Sequence, residues 1–323
     1  MRIFVTGGAG FIGLAVVRRL VARGERVIAV VRDPDRATAL ADLGVETRAG
    51  DLTRTAAIVD AMRGTDAAVH IAGMYRVGIP ASARPAMHDA NVGATHRIID
   101  ATGTAGVERL VYVSTVNVLG DTRGRILDER YRRDLSGGFL SYYDETKYLA
   151  HRAVRERVDG GLPAVIVMPG VVYGPRDHSA IGEQILGAHD GTLGYVALAD
   201  LGISAVYLED VAAGIVAALD RGRIGESYVL GGENTRLRDA MSVAARIGGK
   251  RMPRIELPTA LLRIGSKAPE ALARAVGLPD DLGEVLRSSL GVTYWASSAK
   301  AATELGYRPR DLASGLRATF DER

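Results

Sequence analysis

The chain has 323 residues, 47% of them hydrophobic and 24% charged, with a formal net charge of +3 and no cysteine. That length can bury a large core, and the balance is ordinary for a soluble globular protein; disulfides and cysteine-based metal or nucleophile chemistry are excluded. The basic residues are scattered without an aromatic stripe, which argues against nucleic acid, and no stretch approaches the ~20 apolar residues of a membrane helix. The opening Met-Arg-Ile-Phe-Val-Thr-Gly is too short an apolar run for a signal peptide, so a cytoplasmic protein is expected.

In chain order, Ile3-Phe4-Val5 reads as a buried strand. It runs directly into Thr6-Gly7-Gly8-Ala9-Gly10-Phe11-Ile12-Gly13, with glycines in the spacing G-x-x-G-x-x-G, and an amphipathic helix follows over 14–23. A glycine turn between a strand and a helix N-terminus is a pyrophosphate site. The turn is tight, the backbone comes close to the ligand, and the helix end favours negative charge. Further apolar strands are predicted over 27–31, 45–49, 67–72, 110–114 and 164–168, with helices over 53–62, 85–106 and 141–158 between them. Apolar strands alternating with helices indicate an α/β protein with a doubly wound parallel sheet of the Rossmann type. After about residue 170 the alternation degrades into shorter pieces, including helices over 209–219 and 237–247. The expected organisation is therefore a dinucleotide-binding domain over 1–170 and a smaller, mostly helical substrate lobe over 171–323, with a strand near 227–230 returning to the main sheet.

The second strand ends Val30-Val31-Arg32-Asp33-Pro34. An acidic residue at its tip grips the adenosine ribose in NAD-selective folds. Here Val31 holds that position and Arg32 follows, a pairing suited to a 2′-phosphate. NADP(H) is favoured, with NAD(H) open if Asp33 serves the ribose instead. Asp51, in Gly50-Asp51-Leu52, is placed to accept from the adenine amino group, to cap the next helix, or both.

Ser141-Tyr142-Tyr143-Asp144-Glu145-Thr146-Lys147 contains one Tyr-x-x-x-Lys pair, and residues four apart on a helix share a face. A phenol titrates near ~10, too high for proton transfer at neutral pH. An ammonium beside it favours the phenolate, so Lys147 is expected to lower the Tyr143 pKa and make it a general acid/base. Only four of the 41 basic residues are lysine, and one stands here. The preceding strand ends Val113-Ser114-Thr115, placing hydroxyls at the ligand edge of the sheet.

These motifs resemble the extended short-chain dehydrogenase/reductase superfamily, also called the NAD-dependent epimerase/dehydratase family. The resemblance runs from Met1 to about Gly232 and includes His70-Ile71-Ala72-Gly73, Asn91-Val92, Pro169-Gly170-Val171-Val172-Tyr173-Gly174-Pro175 and Leu208-Glu209-Asp210-Val211. Within it, Val-Arg-Asp-Pro after the second strand and Gly225 to Gly232 look most like the dihydroflavonol-reductase-like branch, which prefers NADP(H). The resemblance implies that Thr115, Tyr143 and Lys147 are catalytic. It implies a cofactor site from Gly7, Gly10, Phe11, Ile12, Gly13, Arg32, Asp51, Leu52, Ala72, Gly73, Asn91, Ser114, Tyr143, Lys147, Pro169, Gly170 and Val172. Asn91 would position the helix or a relay water, and Pro169 to Val172 would line the nicotinamide. A homodimer through the helices over 85–106 and 141–158 is also implied.

The expected reaction is hydride transfer between a carbonyl and an alcohol of a small-molecule substrate. Thr115 is followed by Val116-Asn117, without the Asp-Glu of the family's sugar-nucleotide dehydratases, which counts against dehydration. An NAD-dependent sugar-nucleotide epimerase is the alternative, with Arg176, Arg236 and Arg238 as candidate diphosphate ligands against a plain surface role. A dinucleotide sensor without catalysis is the other class. It has no need of the Tyr143–Lys147 pair. The six histidines (70, 88, 96, 151, 178 and 189) show no paired ligand spacing, so no metal is expected, and His70 reads as structural. Arg130, Arg132 and Arg133 read as a solvated loop. Leu261, Leu262, Ile264, Leu272, Val276 and Leu278 read as core of the C-terminal lobe, with an apolar substrate as the other use.

Overall fold

The computed structural model of the chain describes residues 1–255 and 281–322. The apolar positions 261, 262, 264, 272, 276 and 278 lie outside the described residues. The first half alternates strands and helices: β1 (Arg2–Thr6), α1 (Phe11–Ala22), β2 (Arg26–Val31), α2 (Thr38–Ala41), β3 (Glu46–Ala49), α3 (Thr55–Met62) and β4 (Ala67–His70). Then come α4 (Arg84–His88), a π-helical turn over Asp89–Gly93, α5 (Ala94–Ala105), β5 (Arg109–Val113), α6 (Tyr142–Asp159) and β6 (Ala164–Pro169). The second half holds β7 (Val171–Tyr173), α7 (Ala180–Asp190), β8 (Gly202–Tyr207), α8 (Leu208–Arg221), β9 (Ser227–Leu230), β10 (Glu233–Arg236) and α9 (Leu237–Ile247). Beyond residue 280 lie α10 (Leu282–Arg287), α11 (Ala299–Glu304) and α12 (Leu312–Asp321).

Seven strands form one parallel sheet in the order β3-β2-β1-β4-β5-β6-β9. Side chains alternate between its faces, as the pleat requires. Phe4, Ile28, Ala68, Leu110, Tyr112 and Ile166 face a core shared with α3, α5 and α6, whereas Ile3, Val5, Ala29, Val69, Val111 and Val167 face α1 and α8. Helices on both faces explain why the central strands carry no polar alternation. β3 departs from that expectation. It sits at the sheet edge, Glu46 and Ala49 are exposed, and its polar residues face water.

Several predicted bounds shift for local reasons. β4 stops at His70 because the amides of Ile71 and Ala72 turn to the Thr6 hydroxyl at 3.2 Å each. α3 starts at Thr55 because Asp51 has taken the amide and hydroxyl of Thr53; the cap is Arg54, so Asp51 does not cap the helix. The predicted helix over 85–106 is interrupted by the π-helical turn at Asp89–Gly93, the kind of local widening that re-aims a side chain at a functional site.

The second half is less purely helical than its sequence implies. β7, β8 and β10 make a separate three-stranded sheet, β8 pairing parallel with β7 and antiparallel with β10. Gly170 permits the crossing, since a Cβ there would stand 2.1 Å from the Ser204 carbonyl oxygen. α8 and β9 return to the large sheet, α8 against α1, β5 and β6, and β9 beside β6. α9 and α12 pack on the small sheet, and α7 packs on α9. Among the described residues no helix is long and apolar enough to cross a membrane.

Candidate active site

The strand order reverses between β1 and β4, and at such a reversal ligands bind in the crevice at the carboxyl ends of the strands. Gly7 sits in that crevice with φ +70°, a left-handed conformation that side chains resist, and a Cβ on it would stand 2.8 Å from the Ala72 amide nitrogen. Gly13 has no room either: a Cβ would stand 1.9 Å from the Gly7 carbonyl oxygen, against which α1 packs. Gly10 caps α1 without a side-chain hydrogen bond, and its amide donates to the Gly7 carbonyl at 2.9 Å. The first amides of α1, at Phe11, Ile12 and Gly13, therefore head the helix with no side-chain cap from Gly10, and the turn fits a pyrophosphate on this chain's own geometry. Phe11 and Ile12 half-bury their side chains against the α1–α8 core.

At the adenosine end, Arg32 is exposed just beyond β2. Asp33 is engaged differently, accepting from the Asp35 amide at 3.2 Å as the cap of a short turn over Pro34–Arg36. Asp51 is exposed, and its hydrogen bonds from Thr53 hold its carboxyl below the usual range. The Leu52 carbonyl accepts from Arg97 Nε, tying this edge to α5.

A buried polar chain crosses the crevice. Thr6 donates to His70 Nδ1 at 2.7 Å while accepting from the Ile71 and Ala72 amides; His70 Nε2 meets the Thr95 hydroxyl at 3.3 Å, which donates to the Asn91 carbonyl at 2.6 Å. Since the Thr6 hydroxyl already accepts, Nδ1 accepts and Nε2 carries the proton. Burial, with Lys147 nearby, pushes His70 down to about 3, so it is neutral at working pH. The Asn91 side chain accepts from the Met74 amide at 2.7 Å and donates to the Met74 carbonyl at 3.0 Å and the Thr146 hydroxyl at 2.9 Å. Both of its amide protons are thus engaged in fastening the loop after β4 to α6. Gly73 lies under it, where a Cβ would stand 3.1 Å from Asn91 Oδ1.

Ser141 caps α6 by accepting from the Asp144 amide at 3.1 Å, and the first turn presents Tyr143 and Lys147 to the end of β5. Tyr143 and Thr115 are both 8% exposed, and Thr115 is the one neighbour that favours the phenolate. Thr115 donates to Asn117 Oδ1 at 3.1 Å. Lys147 donates to the Val113 carbonyl at 3.2 Å and stands 5.3 Å from the Tyr112 ring centre. Burial holds its ammonium down to about 8. The expected lowering of the Tyr143 pKa is overturned. Burial, with Tyr75 and Tyr112 beside it, raises the phenol, and only Thr115 pulls the other way. The ammonium is engaged with Val113 and Tyr112, so burial prevails. Ser114 meets His151 Nδ1 at 3.0 Å, and burial with Arg155, Lys147 and Arg132 nearby pushes His151 down to about 4. Pro169 ends β6, Gly170 makes the crossing, and half-buried Val172 pairs with Val206.

The loop after β4 puts Tyr75 edge-on to Tyr143, ring centres 4.8 Å apart and planes at 84°. Arg133 corrects the reading of its loop as solvated. Its side chain is 6% exposed and pairs with Asp144, whereas Arg130 stays at the surface on Asp128. Arg236 donates to the Asp200 carbonyl and lies 5.1 Å from the Trp295 ring, so it is already engaged; Arg176 is exposed with φ +64°. Among the described residues no group of three or more His, Asp or Glu could hold a metal ion.

The NAD dependent epimerase/dehydratase family model matches residues 3–231. The chain belongs to this family. A Synechocystis sp. protein named for dihydroflavonol 4-reductase is 32% identical, over 97% of this chain and 92% of its own length. A 4-hydroxy-2-methyl-3-oxo-4-farnesyl-3,4-dihydroquinoline-1-oxide ketoreductase of Stigmatella aurantiaca is 30% identical, over 96% of this chain and 92% of its own. The crystal structure of gox2253 superposes with a TM-score of 0.84 at 34% identity, covering 99% of this chain and 96% of that one.

Membership in the epimerase/dehydratase family accounts for the motif residues but not for all that surrounds them. Sequence reasoning missed Tyr75, Arg133, Thr146 and His151. A signal existed for one of them: His151 lies four residues beyond Lys147, on the same helix face. Nothing local marks the other three, whose partners only the fold supplies: Asn91 for Thr146, Asp144 for Arg133 and Tyr143 for Tyr75.

Proposed function

We propose that this chain is a nicotinamide-dependent reductase that interconverts a carbonyl and an alcohol, with Tyr143 as general acid/base. The burial of Tyr143 and Lys147 one helical turn apart on α6, with Lys147 bonded to the Val113 carbonyl at the end of β5 just before Thr115, carries this reading. The dinucleotide would lie on Gly7, Gly10, Phe11, Ile12 and Gly13, with Arg32, Asp51 and Leu52 at its adenosine end. Ala72, Gly73, Asn91, Ser114, Pro169, Gly170 and Val172 would border it toward the nicotinamide. When bound, it supplies the hydride.

The residues of the chain do the rest. A carbonyl oxygen held between Tyr143 and Thr115 accepts hydrogen bonds from both, and these strengthen as negative charge builds on it. Tyr143 then gives up its proton to that oxygen. Its raised pKa keeps it protonated at neutral pH, the form that reduction needs. Lys147, charged below about pH 8, favours the phenolate left behind once its ammonium turns from the Val113 carbonyl. In the reverse direction the same groups oxidise an alcohol. Exposed Arg32 and the capping role of Asp33 support NADP(H) over NAD(H).

The two-part division, 1–170 for cofactor and 171–323 for substrate, belongs to this reading, as do a cytoplasmic setting and a homodimer through the outer faces of α5 and α6. The deciding experiment is Tyr143→Phe. Turnover of carbonyl compounds should vanish while NADPH affinity stays within about twofold of the parent. A Phe variant that still turns over would remove Tyr143 from the chemistry.

A further inference from the structure

Among the described residues, buried Lys147 has no carboxylate as a counter-ion. It is 8% exposed, and its ammonium donates to the Val113 carbonyl at 3.2 Å. Asp144 stands three residues before it on α6, but Arg133 and the Leu140 amide occupy both of its oxygens. An ammonium taken out of water without a carboxylate is costly. In the carboxylate's place stands the Tyr112 ring, over which the Lys147 Nζ lies 5.3 Å from the centre.

The ring is a fixed platform. Tyr112 is 1% exposed on β5, in register with His70 on β4 and Ile166 on β6, and the His70 ring lies 5.8 Å away. The pleat turns Tyr112 to the α6 side of the sheet, and Lys147 arrives from that helix one turn beyond Tyr143. Lys300 shows the contrast. It too lies over a ring, 4.6 Å from the centre of Tyr228, yet Glu226 gives it a carboxylate at 2.6 Å. The difference matters where a proton moves. A carboxylate beside Lys147 would cancel the field of the ammonium at Tyr143. The face of an aromatic ring attracts the cation through its quadrupole and carries no net charge, so that field survives. It then acts in full on the phenolate that proton transfer leaves behind.

We propose that Tyr112 is a positioning residue, whose ring holds Lys147 charged beside Tyr143 in place of a counter-ion. This rests on the reductase reading and extends it to a residue that acts only through Lys147. The other titratable groups around the ammonium do not share its range. His70 on β4 and His151 on α6 are pushed down to about 3 and about 4, and burial raises the phenols of Tyr112 and Tyr143. Of this set, only Lys147 changes charge near pH 8.

The test reads the Lys147 charge directly. The chain has only four lysines, so protein grown with lysine carrying 13C at Cε gives four signals, and Lys147→Arg identifies the one from Lys147. Tyr112→Phe keeps the ring and should keep the titration midpoint of the parent. Trifluorophenylalanine at position 112 keeps the shape but strips the negative face. It should lower the midpoint by about one pH unit relative to Phe, and Tyr112→Leu by at least as much. The alkaline limb of kcat for carbonyl reduction should move down with the midpoint, while KM for the carbonyl compound stays within about twofold. Equal midpoints in the Phe and trifluorophenylalanine proteins would reduce the ring to packing and overturn the proposal, with the reductase reading intact. A midpoint that moves without the limb would overturn it too, since the charge on Lys147 would then not govern the rate. Turnover that survives Tyr143→Phe would remove the reductase reading and, with it, the part of the ring in the reaction, whatever the midpoints show.

Discussion

Arg133 and Asp144 form a two-point ion pair inside the protein, Nη1 to Oδ1 at 2.5 Å and Nη2 to Oδ2 at 2.7 Å, with side chains 6% and 0% exposed. Asp144 also accepts from the Leu140 amide at 3.0 Å, and Arg133 lies over the rings of Phe139 and Tyr148. Gly120, at φ +72°, gives the guanidinium room, since a Cβ there would stand 2.7 Å from Nε. The pair clamps the loop before α6 to the residue next to Tyr143. Removing one partner of such a pair strands a buried charge and costs about 3–5 kcal/mol. Arg133→Met should therefore lower stability by that amount and slow carbonyl reduction, because an unpaired Asp144 carboxylate raises the neighbouring phenol further. Adding Asp144→Asn should recover much of the loss. A double-mutant cycle in urea that shows simple additivity would mean the two residues do not act as a pair.

On the proposed reading, Lys147 should set the alkaline limit of activity. Its ammonium is held down to about 8, from an ordinary value of 10.5, by burial. Carbonyl reduction should fall as pH rises through about 8, approaching tenfold per unit beyond it. Stability should move the opposite way. Between pH 8 and 10.5 the unfolded chain holds a proton at this site that the folded one has lost, so this group's contribution rises with pH. A loss of rate alongside an unchanged or rising urea midpoint would separate titration from unfolding. Lys147→Arg keeps its charge and should lose the limb near pH 8. An unchanged limb in that variant would assign it to another group.

The features legible in the sequence are those set by local pattern. A glycine that cannot bear a Cβ, an apolar run that crosses a covered sheet, and a Tyr and Lys one helical turn apart all announce themselves within a few positions. The parallel sheet and the return strand over 227–230 were legible for that reason. Three things were not. The small sheet joins β7, β8 and β10, whose short polar or glycine-bordered segments resemble loops when read singly. Arg133 looks like a surface residue beside Arg130 and Arg132, and only the fold brings Asp144 to it. The Tyr143 pKa came out with the wrong sign because the sequence places an ammonium nearby but cannot show how completely the phenol is desolvated, nor that Val113 and Tyr112 engage the ammonium.

Acid should weaken the fold through its buried histidines. His70 and His151 are pushed down to about 3 and about 4, while an unfolded chain titrates them near 6.5. From pH 6.5 downward the unfolded chain binds protons that the folded one refuses, so stability is lost across that window. Glu129 and Asp177, raised by burial, work the other way, so parent and variant must be compared directly. His151→Gln, which can still partner Ser114, should flatten the fall of the urea midpoint between pH 6.5 and 5. Parallel curves for the two proteins would show that His151 is not buried neutral in solution.

On the proposed reading, Arg32 should decide between the two dinucleotides. It stands exposed at the end of β2, and Asp33, the carboxylate that would otherwise take the ribose hydroxyls, is held by the Asp35 amide. A guanidinium paired with a 2′-phosphate contributes about 1.5–3 kcal/mol, roughly 10- to 150-fold in affinity, and less as salt screens it. Arg32→Ala should weaken NADPH by a factor in that range while leaving NADH within about twofold, both followed by cofactor fluorescence at low ionic strength. The gap should narrow as salt is raised. Arg32→Lys should recover part of it, since a lysine keeps the charge but loses the planar fork. Equal losses for NADPH and NADH would mean that Arg32 does not read the 2′ position, and would leave the family's NAD dependence as the better guide.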